Sequence, residues 1–315
     1  MIGRASRRPR WRTLARLAAV CAVCVACLST GLLIGMQSGR RADDLFRFVQ
    51  SVRHAVDPRA TLWTPPDEPR GSFNTFGQLV AYPDKREVPR PAITERTMVA
   101  FVFGQSNAAN RGGEKFAAAS DAVLNYWDGR YFIAEDPLLG ASNLQGGPWT
   151  AMGNKLIAAK TFDMVILEAA GISATTARDW ATGGWLNPML EQRLADTKAA
   201  GLTVTHFLWH QGEDDANAAG VASYDAAMRT IIALARKYFP QAKFFVAQAS
   251  ACYRSPPDER LRRIQRDLTR LPGVYAGPDT DQIGVADRYD DCHLSGRGLE
   301  RHADGWVAAV RQAAR

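Results

Sequence analysis

The sequence predicts an α/β domain, a parallel sheet covered by helices on both faces, and three observations predict it. From Met98 onward, short apolar runs of strand length alternate with longer segments of helical period. Polar, reactive residues stand directly after several of those runs, where the carboxyl ends of parallel strands gather a site. The length of 315 residues suits one sizeable domain plus extensions.

The chain opens with a basic tail, residues 1–16, carrying Arg4, Arg7, Arg8, Arg10, Arg12 and Arg16. Leu17 to Met36 holds no charge and is long enough to cross a bilayer as a helix. Only Arg40 and Arg41 follow closely, so the bias of Arg favours a cytoplasmic N-terminus and export of everything downstream. A single-pass anchor at 17–36 is expected, with a cleaved signal peptide and a secreted product as the alternative. Residues 37–93 combine a short amphipathic segment, Asp44 to Val56, with a Pro-, Gly- and charge-rich stretch from Pro58 to Pro91 that reads as a linker or an irregular wrap.

The main domain is expected at 94–315. Its strands are predicted at Met98–Phe103, Met164–Ala169, Val204–Trp209, Phe244–Ala247 and Val274–Ala276, a parallel five-stranded sheet. Helices are predicted at Trp149–Ala159, Asn187–Ala200, Ser223–Tyr238, Pro257–Leu271 and Ser295–Ala314, completing a three-layer α/β/α sandwich.

A formal charge of +7 points to nucleic acid only until it is located. Residues 1–41 hold eight of the 39 basic residues and no acidic one, which leaves 31 basic against 32 acidic residues in the rest. The domain is close to neutral, and nucleic acid drops out as a partner.

Ser106 stands three residues after an apolar run, between Gly104-Gln105 and Asn107. A serine on such a strand-to-helix turn presents its hydroxyl at the rim; it could equally cap a helix. A serine nucleophile needs a base. Of five histidines, His54 precedes the domain, His302 falls inside the last helix and His206 inside a strand, which leaves His210 and His293. His293 has Asp290 three residues earlier, and in a D-x-x-H loop the carboxylate can reach Nδ1 and fix the tautomer whose Nε2 accepts a proton. Asp214 and Asp215 are expected to cap the segment that follows them.

Gly104-Gln105-Ser106-Asn107, Gly171, Trp209-His210-Gln211-Gly212-Glu213 and Asp290 to His293 occur in the order of the blocks of the SGNH-type hydrolases, and together they resemble the sialate O-acetylesterase and acetylxylan esterase-like branch of that family. The resemblance covers Met98 to the C-terminus, about two thirds of the chain. It implies a flavodoxin-like α/β/α fold, hydrolysis of acetyl esters on a carbohydrate by a carboxylic ester hydrolase, and no metal or organic cofactor. Ser106 is then the nucleophile, His293 the base and later the acid, and Asp290 its orienter. The implied oxyanion hole is the Ser106 and Gly171 N–H groups with the side-chain amide of Gln211. Gln105, Asn107 and Glu213 would support the loop or the substrate. Gly171-Ile172-Ser173 departs from the family's second block, since extra residues separate it from Trp180. Gly171 therefore stays open between a donor and a glycine that ends a strand.

Cys252 and Cys292 are the cysteines of the main domain and are open to a disulfide or to two free thiols. Trp127, Trp149, Trp180 and Trp185 are each open to a sugar-stacking or a core role. The expected substrate is an O-acetylated carbohydrate, such as sialic acid, xylan or a surface polysaccharide, met on the periplasmic side of the membrane. The alternatives are a polysaccharide O-acetyltransferase with the same triad and an inactive carbohydrate-binding envelope protein.

Overall fold

Thr97–Gly104 is a strand with all eight residues buried, and the rest of the architecture is arranged around it. The computed structural model describes residues 71–253 and 255–313, which fall within one unit running from Pro69 to Arg315. In chain order the strands are β1 (Ser72–Phe73), β2 (Leu79–Ala81), β3 (Glu87–Val88), β4 (Thr97–Gly104), β5 (Val123–Trp127), β6 (Arg130–Ile133), β7 (Met164–Ala169), β8 (His206–His210), β9 (Lys243–Gln248) and β10 (Val274–Asp279). The helices are α1 (Pro148–Ala158), α2 (Ala177–Trp180), α3 (Asn187–Ala199), α4 (Ala218–Tyr238), α5 (Glu259–Leu268) and α6 (Gly296–Gln312). The expected tail, anchor and amphipathic segment lie outside the described residues. Among the described residues no helix is long and apolar enough to cross a membrane.

The main sheet has the order β10-β9-β8-β4-β7-β5-β6-β3. Its strands from β10 to β5 run parallel, and β6 and β3 close one edge antiparallel. The expected five-stranded sheet is therefore corrected to eight strands, five of them the predicted ones. The missed hairpin β5–β6 turns through Asp128-Gly129, both at positive φ (49° and 78°), the pattern of a two-residue primed turn. The stretch read as linker also supplies structure: β3 pairs with β6, and Leu79 is fully buried against Phe132 and Leu139.

The three layers follow from the two-residue period of β4. Val99, Phe101 and Phe103 face a core completed by α2, α3, α4 and α5, while Met98, Ala100 and Val102 face one completed by α1 and α6. Helix starts have local causes. Pro148 opens α1, the Asn217 side chain accepts from Ala219 and Gly220 N–H, Asp258 accepts from Arg260 and Leu261 N–H, and Ser295 accepts from Gly298 N–H.

Candidate active site

β4 lies between β8 and β7, so the segments leaving these three strands meet at one edge of the sheet. The chain fills one side of β4 with β7 and β5 and the other with β8, β9 and β10, and a crevice opens where such a progression reverses.

Gly104 ends β4 at φ +128°, and a Cβ there would fall 2.0 Å from His210 O. Only glycine fits, and the chain turns sharply into the short 3-10 turn Ser106–Ala108. Ser106 is 5% exposed at its start. Gly171 follows β7, and a Cβ there would lie 2.7 Å from Ala108 O and 2.9 Å from Ala109 N. That close approach brings the Gly171 backbone onto the serine turn. Neither the Ser106 nor the Gly171 N–H is taken by a backbone carbonyl of the described residues.

His293 and Asp290 sit in the loop between β10 and α6. His293 Nδ1 is 2.6 Å from Asp290 Oδ2, and Asp290 Oδ1 accepts the backbone N–H of His293 at 2.6 Å and of Cys292 at 3.1 Å. Burial pushes the Asp290 carboxyl up, but the hydrogen bonds and charge of His293 outweigh it and hold the group below the usual carboxylate range. Asn107 joins this loop to the serine turn. Its Nδ2 donates to Cys292 O at 3.5 Å and its Oδ1 accepts from Leu294 N–H at 3.3 Å, one residue either side of His293. A disulfide links Cys252, after β9, to Cys292, with Cα atoms 4.3 Å apart.

Behind Asn107 lies a buried polar chain. Glu213 Oε1 accepts from Asn107 Nδ2 at 2.9 Å and meets His210 Nε2 at 3.0 Å. Burial pushes the Glu213 carboxyl up, yet the charge and hydrogen bond of His210 and the bond from Asn107 dominate and bring it to about 2. His210 Nδ1 is 3.1 Å from His302 Nε2, which also accepts from Trp306 Nε1–H at 2.9 Å. His210 is fully buried in this chain, whereas His293 keeps 7% of its surface exposed and carries the Asp290 contact. Burial lowers His206, inside β8, to about 3.

Gln211 is placed differently from the expectation. It is fully buried, and its Nε2 donates to Asp215 Oδ2 at 2.6 Å, Thr175 O at 3.0 Å and Gln105 Oε1 at 3.1 Å. The amide hydrogens face those acceptors, and the structure does not bring them as free donors to the serine turn. Gln105 Oε1 also accepts from Gly212 and Asp214 N–H, so it ties the serine turn to the segment after β8. Asp215 does not cap α4, which Asn217 does; its Oδ2 instead accepts from Ala177 N–H at 2.8 Å and holds Gln211. Burial raises the Asp215 carboxyl to about 6. No sequence signal marked Asp215 as part of the site, because its partner Ala177 N lies 38 residues away. Of the four tryptophans, Trp149 and Trp180 are core residues, Trp127 lies under the Arg193 guanidinium at 4.2 Å, and Trp185 is 47% exposed and stacked on Phe76. Among the described residues no three His, Cys, Asp or Glu gather as metal ligands would.

A doubly wound sheet with a serine turn, a neighbouring glycine N–H and an Asp-His pair at its carboxyl edge is the make-up of a serine hydrolase. Residues 96–308 match the family described as carbohydrate esterase, sialic acid-specific acetylesterase, and the chain belongs to that family. It is a carbohydrate acetylesterase and thus a carboxylic ester hydrolase. A solved structure from Arabidopsis thaliana is similar over 68% of this chain and 98% of its own, at 20% identity and a TM-score of 0.58. NanS is similar over 70% of this chain and 98% of its own, at 14% identity and a TM-score of 0.51. At these identities the likeness speaks for the fold. No curated protein matches the chain.

Proposed function

We propose that the protein removes O-acetyl groups from a carbohydrate through an acetyl-enzyme on Ser106, on the extracytoplasmic side of a membrane to which residues 17–36 anchor it. The observation that carries this reading is the 2.6 Å contact of His293 with Asp290, on a loop that the neighbour of Ser106 holds on both sides of His293. In this reading His293 Nε2 takes the Ser106 Oγ proton as Oγ adds to the ester carbonyl, while Asp290 keeps the other proton on Nδ1. The carbonyl oxygen becomes negative against the Ser106 and Gly171 N–H groups. Gln211 braces Gln105 and joins the hole only if its amide turns away from Asp215. Collapse breaks the bond to the sugar oxygen, which leaves with the proton from His293. Water then repeats the sequence: His293 takes its proton, its oxygen adds to the acetyl carbonyl, and acetate leaves as Ser106 regains its hydrogen.

The substrate is an O-acetylated sialic acid, xylan or surface polysaccharide. The test is acetate release from each of these three, measured for the wild type beside Ser106→Ala and His293→Ala. Release that depends on both residues supports the reading. Transfer of acetyl onto an added sugar in preference to water would convert it into an acetyltransferase.

A further inference from the structure

A short strap, residues 141–145, lies on the segment that leaves β7. Ser142 N–H donates to Gly171 O at 2.8 Å, while Asn110, just past the serine turn, holds the strap through its own N–H to Ser142 O at 3.0 Å and through Gln145 N–H to Asn110 O at 3.0 Å. Two residues beyond Gly171, Ser173 meets the same strap. Its N–H donates to Ser142 Oγ at 2.9 Å, and Ser142 Oγ–H donates to Ser173 Oγ at 3.2 Å. Asn143 Nδ2 donates to both hydroxyl oxygens.

A hydroxyl has one hydrogen and two lone pairs. Ser142 spends all three on Ser173 and Asn143. Ser173 Oγ fills both lone pairs, from Ser142 and from Asn143, and keeps its hydrogen unspent. Among the described residues no donor reaches Asn143 Oδ1, which shares its carbon with Nδ2 and so lies beside Ser173 Oγ. One free donor and one free acceptor thus stand together, both half-buried, next to the Gly171 N–H. The backbone holds them in place. Asn143 sits at φ +69°, which asparagine tolerates, and Ala174 at φ +57°, which alanine disfavours. Thr175 Oγ1 donates to Ile172 O at 2.8 Å and accepts from Trp180 Nε1–H at 3.0 Å, which closes the turn around Ser173. Disfavoured backbone of this kind persists where its surroundings over-determine it, as at ligand clamps.

The complement of such a pair is an alcohol, which gives its hydrogen to Asn143 Oδ1 and takes one from Ser173 Oγ. With the ester carbonyl oxygen on the Gly171 N–H, the group nearest to this pair is the substituent on the carbon next to the acetylated one. We propose that Asn143 and Ser173 bind a free hydroxyl vicinal to the acetyl ester, so that the enzyme selects esters whose neighbouring position is not itself acetylated. The inference rests on the esterase reading above and adds the residues that read the neighbour of the ester.

The experiment compares kcat/KM of the purified protein on 2-acetoxycyclohexanol, which carries the vicinal hydroxyl and no other sugar group, on cyclohexyl acetate, which lacks it, and on p-nitrophenyl acetate. The wild type is expected to favour the hydroxy ester over cyclohexyl acetate by about tenfold, the scale of one to two net hydrogen bonds. The double variant Asn143→Gly with Ser173→Ala brings that ratio to about one. Asn143→Gly alone suits the left-handed backbone and lowers the ratio by about threefold, so it decides the matter if the double variant does not fold. A wild type that hydrolyses p-nitrophenyl acetate yet is indifferent to the hydroxyl, or variants that keep the preference, overturn the subsite and leave the esterase reading intact. A wild type that turns over none of the three refutes the esterase reading, and the subsite falls with it.

Discussion

Asp290 holds His293 twice, through the ring nitrogen Nδ1 on Oδ2 and through the backbone N–H on Oδ1, each at 2.6 Å. One carboxyl thus fixes both where the imidazole is and which way it faces.

Asp290→Asn separates these two duties. The asparagine oxygen can keep the backbone bonds, while its NH2 faces Nδ1 and favours the tautomer that cannot take the serine proton. The expected result is a fall in kcat of about 10^3 to 10^4 with KM and melting temperature little changed. Steady-state kinetics and calorimetry check it. A loss of tenfold or less would show that the carboxylate is not the orienter.

Glu213 anchors Asn107 and His210 with one oxygen. Glu213→Gln leaves His210 facing an amide in a fully buried place, which costs about 3 kcal/mol of stability. Asn107 loses its brace, so kcat is expected to fall as well, since Asn107 sets the segment around His293. Chemical denaturation and kinetics on the same sample check both parts. An unchanged midpoint would remove Glu213 from the account.

Acid-range stability follows from three carboxyls. Burial raises Asp136 and Asp215 to about 6 and shifts Glu168 upward too. A carboxyl raised on folding contributes stability that is complete below its unfolded value and is lost as pH rises through its folded value. Unfolding free energy is therefore expected to fall between about pH 4 and pH 7, by about 3 kcal/mol for Asp136 alone. Asp136 accepts from Phe116 and Gly147 N–H and from Thr150 Oγ1, contacts an amide can reproduce. Urea titrations across that range should show a shallower decline in Asp136→Asn, and an identical slope would contradict the assignment.

The Cys252–Cys292 bond closes a loop of 40 residues next to the proposed base. In the chain-entropy model such a closure is worth about 4 kcal/mol. The double variant Cys252→Ser with Cys292→Ser is expected to lose stability on that scale and to lose kcat, because residue 292 adjoins His293. Equal activity and melting temperature with and without a reductant would show that the bond does not set the loop.

Much of the site was legible because each block is local. The Gly104 turn, the Asp290–His293 pair and the placement of Ser106 after a buried strand depend on residues within a few positions of one another. Five of the six parallel strands were legible for the same reason, as continuous apolar runs. What escaped was set by distant partners. Strand β3 lies in a Pro-rich stretch and exists because β6 offers it an edge, while the Asp128-Gly129 turn that makes β6 sits between runs too short to stand out. Gln211 looked like a donor aimed at the site until Asp215, fixed by Ala177 across the fold, turned its amide inward.

The central claim, that Ser106 carries the acetyl group during turnover, is tested most directly by intact mass and peptide mapping of protein acid-quenched during reaction with p-nitrophenyl acetate. One acetyl group on the peptide containing Ser106, absent in Ser106→Ala and accumulated in a variant with slowed deacylation, is the predicted result. Full turnover by Ser106→Ala, or acetyl found only on another residue, would contradict it.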